Sequence, residues 1–231
     1  MPGLTIPHLV DFGADAEVAG RDLTRPGAWD ALRTGTQGPF AMAGDRADLE
    51  AVADAHPEAG ERMKAVVAAL RTEGAESLAS YGVGGALPEC WLLRLMPDLH
   101  LSVTEYGEET VAGLRRLVGD DAQVVRHDLL RDDPLDADVH LFHRIDTEFT
   151  NRQWRRIMGR FAHQKIVLVA TDVVSAARMR EELRAMPHRR SWTRAGWMRT
   201  RGAFERLWRR THRAEPLALG DLEGWLLRPK G

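Results

Sequence analysis

From Glu76 onward the chain alternates short apolar runs with helix-length stretches, and this alternation constrains the fold more than any other feature. The runs are Ser77–Tyr81, Leu99–Thr104, Gln123–Arg126, Ala137–Phe142 and Lys165–Thr171. Helical stretches separate them at Pro88–Met96, Glu108–Val118 and Asn151–His163, and another, Ala176–Met186, follows the fifth run. Short strands spaced by helices read as βαβ units, which place the strands in a parallel sheet. Thr150 followed by Gln153 predicts a capping box at the start of the third helix. The carboxyl end differs. Pro216–Leu219 and Trp225–Arg228 are separated by five residues, too few for a crossover, so they are expected to pair antiparallel.

The amino-terminal third lacks this alternation. Residues 1–36 are punctuated by Pro and Gly, with one short helical candidate at Ala28–Arg33. Asp45 or Asp48 can cap a helix through Leu49, Val52 and Ala53. Met63, Val66, Val67 and Leu70 recur at i, i+3, i+4, i+7, an amphipathic helix ending at Gly74. The expected division is therefore a helical segment over 1–75 and an α/β domain over 76–231. With 44% hydrophobic and 29% charged residues in 231, the composition is that of a folded chain with a sizeable core. No apolar run approaches the ~18–20 residues that cross a bilayer. The first residues show no basic-then-apolar pattern, so no signal peptide is expected and the location read is cytoplasmic. The single cysteine, Cys90, excludes an intrachain disulfide and reads as a small buried hydrophobe. Arginine outnumbers lysine 29 to 3, as in a GC-rich, bacterial genome.

The stretch from Ser77 to Glu89 runs strand, glycine-rich turn, helix, with Pro88 suited to the first helical turn. Glycines let backbone approach a ligand, and a helix amino terminus offers free N–H groups. The dinucleotide fingerprint would need a third glycine where Leu87 stands, so it fails. Gly82-Val83-Gly84-Gly85-Ala86 instead resembles the Gly-x-Gly-x-Gly loop of class I S-adenosylmethionine-dependent methyltransferases. Ala86 replaces the last glycine, and Ser80 stands where that family often has an acid. The second strand ends at Glu105-Tyr106, about twenty residues on, where a carboxylate can accept both ribose hydroxyls. His127-Asp128-Leu129 is similar to the family's Asp-Leu step, whose carboxylate meets the adenine amino group. Asp138 opens the fourth strand, as an acid does in the family.

The resemblance covers about Glu76 to Arg228. It implies a Rossmann-like, doubly wound seven-stranded α/β sheet with an antiparallel C-terminal hairpin and an N-terminal helical extension. It implies S-adenosylmethionine as cofactor and S-adenosylhomocysteine as product. The implied cofactor contacts are Ser80, Tyr81, Gly82, Gly84, Glu105, Tyr106, His127, Asp128, Leu129, His143 and Arg144. Residues 1–75 would form a lid and, with residues 187–205, shape the acceptor site.

The segment after the fourth strand, His143 to Phe149, falls at the carboxyl edge of the sheet, where such folds bind ligands. His143 is the candidate general base, since an imidazole ordinarily titrates near 6.5. Asp146 or Glu148 would orient it or hold a cationic substrate; Asp146 is taken as its catalytic partner. Arg144 reads equally as an ion-pair partner of these acids. The implied acceptor is a small molecule with an oxygen or nitrogen nucleophile, in specialised metabolism. One alternative is a methyltransferase-like protein that binds the cofactor without transferring its methyl group. Another is an RNA- or DNA-modifying enzyme using the basic run from Arg178 to Arg213, with 12 Arg against three acids. That run reads first as a solvated helical face. The Asn/Asp-Pro-Pro-Tyr signature is absent after the fourth strand, which disfavours nucleic acid. No metal is expected, because the nine histidines show no two-His-one-carboxylate spacing. No membrane partner is expected, and a homodimer is left open. Trp91, Trp154, Trp208 and Trp225 read as core, whereas Trp192 and Trp197 could wall a substrate pocket.

Overall fold

The computed structural model describes residues 3–10, 22–23, 27–34, 40–188 and 192–231. The first elements are β1 (Thr5–Val10), α1 (Ala28–Arg33), α2 (Arg46–Ala55) and α3 (Pro57–Thr72). The alternating region follows as β2 (Ser77–Tyr81), α4 (Leu87–Leu95), β3 (His100–Glu105), α5 (Glu108–Val118) and β4 (Gln123–Arg126). It continues through β5 (Val139–His143), α6 (Asn151–Arg160), β6 (Ile166–Val169), α7 (Ala176–Ala185), β7 (Thr193–Arg199), α8 (Arg201–Trp208), β8 (His212–Leu219) and β9 (Leu222–Pro229).

Seven strands form one sheet in the order β4-β3-β2-β5-β6-β9-β8. The first five are parallel, and β9 enters antiparallel between β6 and β8. Strand residues alternate between two apolar layers. Leu78, Leu101, Val103, Val139, Leu141, Val167 and Val169 face the layer holding α2, α3, α4 and α5. Ala79, Tyr81, Phe142, Ile166 and Leu168 face Trp154 and Ile157 of α6, Phe161 just past its end, and Trp208 of α8. Asp138 ties the start of β5 to that of β2: its Oδ2 accepts from the backbone N–H groups of Glu76 and Ser77 and from Ser77 Oγ. These bonds, the Ser77 hydroxyl first, hold its carboxyl below the usual range.

Local signals act where expected. Asp45 accepts from Asp48 N at 3.0 Å, and the Thr150–Gln153 capping box forms at α6. Gly74, just past α3, takes φ +62°. Cys90, Trp154, Trp208 and Trp225 are buried and Trp91 is partly so. The hairpin corrects the sequence reading. Its strands extend to His212 and Pro229 around a two-residue turn at Gly220-Asp221, with Gly220 at φ +69°. β8 is an edge strand with mostly exposed residues, so its first half lacks the apolar run that would mark it.

A second sheet was not foreseen. β1 and β7 pair antiparallel, Thr5 opposite Arg199, with a bulge between His8 and Leu9. It stands beside the carboxyl ends of β5 and β6, where Val174 N donates to Arg199 O and Gly196 packs against the Thr147 carbonyl. Among the described residues, no helix is long and apolar enough to cross a membrane.

Candidate functional site

The turn after β2 is built from left-handed backbone: Gly82 at φ +66°, Gly84 at +61° and Ala86 at +62°. The last is a non-glycine in a region costing roughly 1–2 kcal/mol. A side chain at Gly82 would collide with Ile145, and one at Gly84 would meet the Arg33 guanidinium. The loop is pinned to its neighbour strand, since Gly82 N and Val83 N both donate to Thr104 O. Beneath it, Ser80 Oγ donates to Glu89 Oε1 at 2.6 Å. Burial pushes the Glu89 carboxyl up to about 7.

Glu105, at the end of β3, accepts from Gly84 N at 3.2 Å, from Tyr106 N at 2.8 Å and from Arg33 Nη1 at 2.6 Å. The last bond comes from α1, which covers this end of the sheet. Asp30 anchors α1 there, its Oδ1 accepting from Thr110 N (2.9 Å) and Thr110 Oγ1 (2.5 Å) in the first turn of α5. Glu105, Tyr106, His127, Asp128, Leu129, Trp29 and Asp30 line a cavity of about 320 Å³. His127 bonds the Asp133 carbonyl through Nε2 at 2.9 Å, and Asp128 Oδ1 accepts from Leu130 N, so both side chains are held in place.

A second cavity, about 600 Å³, opens on the other side of the glycine loop. Phe40, Leu49, Met63, Leu87 and Ala195 supply apolar wall; His8, His143, Arg144 and Thr147 supply polar groups. Trp29, Gly82, Ile145 and Glu148 line both cavities, so the two meet there. Glu148 is the carboxyl at that junction. Burial first, then Glu105 and Asp146, push it up to about 7, against the opposing pull of Arg33. His143 goes the other way. Burial, aided by Arg144 and Arg62, lowers it to about 3 and keeps the imidazole neutral.

The loop carrying Glu148 is braced by Arg199 from β7, which is 0% exposed. Arg199 Nε donates to Asn151 Oδ1 at 2.9 Å, and its two terminal nitrogens donate to the carbonyls of Asp146 and Phe149. Asn151 in turn donates to Thr5 Oγ1 at 2.9 Å, linking β1 to the same brace.

Of the residues singled out in the sequence, Gly82, Glu105, Tyr106, His127, Asp128 and Leu129 line the smaller cavity. Gly84, His143 and Arg144 line the larger. Three others require correction. The Ser80 side chain is consumed by Glu89. Tyr81 faces the core, where its hydroxyl meets His140 Nδ1 at 3.2 Å and accepts from Leu135 N, because alternation sends it to the face opposite Ser80. Asp146 lines neither cavity: its Oδ1 accepts from Thr171 N at 2.7 Å and Thr171 Oγ1 at 2.8 Å, a bond set that joins the ends of β5 and β6. Trp197 pairs across from Pro7 under the Arg194 guanidinium (4.6 Å to the ring centroid), and Ala195 is the β7 residue that reaches a cavity. Arg33, Trp29 and Arg199 were missed. Trp29 and Arg33 are four apart on the short helix that was foreseen, a spacing that puts both on one face.

No protein-family model and no curated protein matches the sequence; the likeness lies in structure. Human N-acetylserotonin methyltransferase, solved with S-adenosylmethionine, superposes with TM-score 0.61 at 15% identity, over 92% of this chain and 64% of its own. An O-methyltransferase family protein from Burkholderia thailandensis gives 0.58 at 18%, over 82% and 61%. Mitomycin 7-O-methyltransferase gives 0.55 at 18%, over 75% and 53%. The chain thus spans less than two thirds of the length of each. If a nucleoside fills the smaller cavity, Glu105→Ala should weaken S-adenosylhomocysteine binding by about 1–3 kcal/mol, the loss of hydrogen bonds to a charged acceptor. Calorimetry giving equal affinities for variant and parent would remove Glu105 from the ribose.

Proposed function

For a chain with the fold of class I S-adenosylmethionine-dependent methyltransferases, we propose methyl transfer from S-adenosylmethionine to an oxygen or nitrogen of a small-molecule acceptor, in specialised metabolism. The observation that carries this reading is the meeting of a nucleoside-sized cavity and a larger, mainly apolar one at a single carboxyl, Glu148. The residues fit the cofactor: an acid at the end of β3 for the ribose diol, glycines that admit close backbone approach, and Asp128 near the adenine end. Bound there, S-adenosylmethionine supplies a methyl group activated by its sulfonium. Names of similar structures support the acceptor class, among them mitomycin 7-O-methyltransferase and an O-methyltransferase solved with apigenin (TM-score 0.52, 10% identity).

In this reading residues 1–75 act as a lid. α1 covers Glu105, and α2 and α3 contribute Leu49 and Met63 to the acceptor wall, which excludes water from the junction. Glu148 takes the acceptor's proton, because it borders both cavities and titrates close to neutrality. His143 lines the acceptor side as a neutral imidazole and serves as a hydrogen-bond partner; Asp146 holds the loop. Positioning supplies the remainder of the rate.

Three arginines of the basic run are committed within the fold, and the absent Asn/Asp-Pro-Pro-Tyr signature remains the argument against nucleic acid. Arg199 is buried, Arg201 pairs with Glu223 at 2.5 Å, and Arg194 stacks on Trp197. Arg189 and Arg190 lie outside the described residues. The reading is tested by calorimetry with S-adenosylhomocysteine and by transfer of labelled methyl from S-adenosylmethionine to a panel of phenols and nitrogen heterocycles. Micromolar binding with transfer is expected. Absence of binding at millimolar S-adenosylhomocysteine would overturn it, and binding without transfer to any acceptor would favour a cofactor-binding protein.

A further inference from the structure

Arg33 belongs to the amino-terminal segment, not to the sheet, yet its guanidinium lies on the glycine loop. An ideal Cβ built on Gly84 would stand 2.6 Å from Arg33 Nη1 and 2.9 Å from Nη2, so only a glycine admits it. The side chain is 13% exposed and packs over the Trp29 ring, 5.5 Å from its centroid. Its ion-pair partner is Glu105, through Oε2, the oxygen that also accepts from Gly84 N. The guanidinium therefore spans the acid at the end of β3 and the loop that opens α4, two places that a nucleoside with an amino-acid arm would occupy together.

Ligand binding forces a change of partners. A ribose diol on Glu105 takes up the lone pairs that Arg33 now uses. A guanidinium this enclosed is costly without a counter-charge. S-adenosylmethionine has one anionic group, the carboxylate of its amino-acid arm. The acids around the junction, Glu105 and Glu148, repel that group, whereas the N–H groups of the glycine loop and the α4 terminus attract it. Resting on the functional reading above, we propose that Arg33 is the receptor for the cofactor's amino-acid carboxylate, exchanging its ion pair with Glu105 for one with the ligand as the ribose arrives. α1 thereby reads the charged arm and closes over the nucleoside in one step. The planar fork suits a carboxylate bidentately.

The test compares two ligands by calorimetry on the full chain. S-adenosylhomocysteine has the amino-acid arm; 5′-methylthioadenosine has the same nucleoside and thioether without it. Arg33→Gln should weaken S-adenosylhomocysteine by roughly 10- to 100-fold and change 5′-methylthioadenosine by less than about threefold. Arg33→Lys should recover part of the loss for S-adenosylhomocysteine alone, and matching melting curves would show that the variants fold. Equal weakening of both ligands would overturn the proposal, because Arg33 would then serve the nucleoside or α1 alone. Tighter binding of both would also overturn it, showing a guanidinium that merely blocks Glu105. If the parent binds neither ligand, the methyltransferase reading itself fails; if it binds both and the variant keeps their ratio, only the role of Arg33 fails.

Discussion

Glu148→Gln should lower single-turnover methyl transfer by about 10²- to 10⁴-fold, the range for losing a positioned general base. Cofactor affinity should change little, since Glu105 and the glycine loop are untouched. The parent's rate should rise with pH to a plateau, with a midpoint near 7 where the Glu148 carboxyl loses its proton. His143 should leave that profile unchanged, because burial keeps it neutral at every pH above about 3. The sign of the stability effect is a useful control. Glu148 has a folded-state value raised above that of the unfolded chain, so its contribution is present at low pH and is lost as pH rises through about 7. The Gln variant should thus gain more stability relative to the parent at pH 8 than at pH 5, and a rate loss at pH 8 would not come from unfolding. Near-parental turnover in Glu148→Gln would return the proton-accepting role to another group or to solvent.

Arg199→Met should lower stability by about 3–5 kcal/mol, the cost of removing one member of a buried charged network. The substitution keeps the length of the stem and deletes every donor. The Phe149 carbonyl and the Asn151 amide oxygen then lose their partner in an enclosed site, and the Asp146 carbonyl keeps only the Trp154 indole N–H. For a chain of this size each kcal/mol moves Tm by about 2–4 °C, so a drop of roughly 6–20 °C is expected by calorimetry. Turnover should fall beyond the loss of folded protein, since the loop freed is the one presenting Glu148. A Tm within about 2 °C of the parent would mean that β1 and β7 hold that loop without the guanidinium.

The central sheet was legible because its signals are local. β6, central enough to be buried on both faces, reads as an unbroken apolar run, Ile166–Val169. The residues lining the smaller cavity were legible for a related reason: Glu105 and Asp128 sit at strand ends, and strand ends follow from strand positions. What failed was of two kinds. Ser80, Tyr81 and Asp146 lie at the right edge of the sheet but point or bond elsewhere, a matter of side-chain direction that spacing does not reveal. The β1–β7 sheet was invisible because its pattern is broken by Pro7, the bulge after His8, and Gly196, and because neither strand reads as a strand without the other. Arg199 belongs to that second sheet and was hidden with it, whereas Arg33 lies on a foreseen helix whose packing against Glu105 the sequence does not reveal.

The distance along the chain between β1 and β7 has a kinetic consequence. Leu4 and Thr200, bonded across the end of this sheet, are 196 residues apart in sequence, whereas the paired strands β2 and β3 are joined by a single helix. Closing long loops comes after local contacts have formed, because their entropy is regained late. The seven-stranded sheet should therefore assemble first, with the wall around Ala195 and the Arg199 brace arriving last. At the ribosome, β1 emerges and waits roughly 10–40 s for its partner at synthesis rates of about 5–20 residues per second. During that interval Pro7, which lacks an amide hydrogen, and the bulge beside His8 make β1 a poor template for strands of other chains. The irregularities that obscured β1 in the sequence also protect a strand that must stay single until its partner is made.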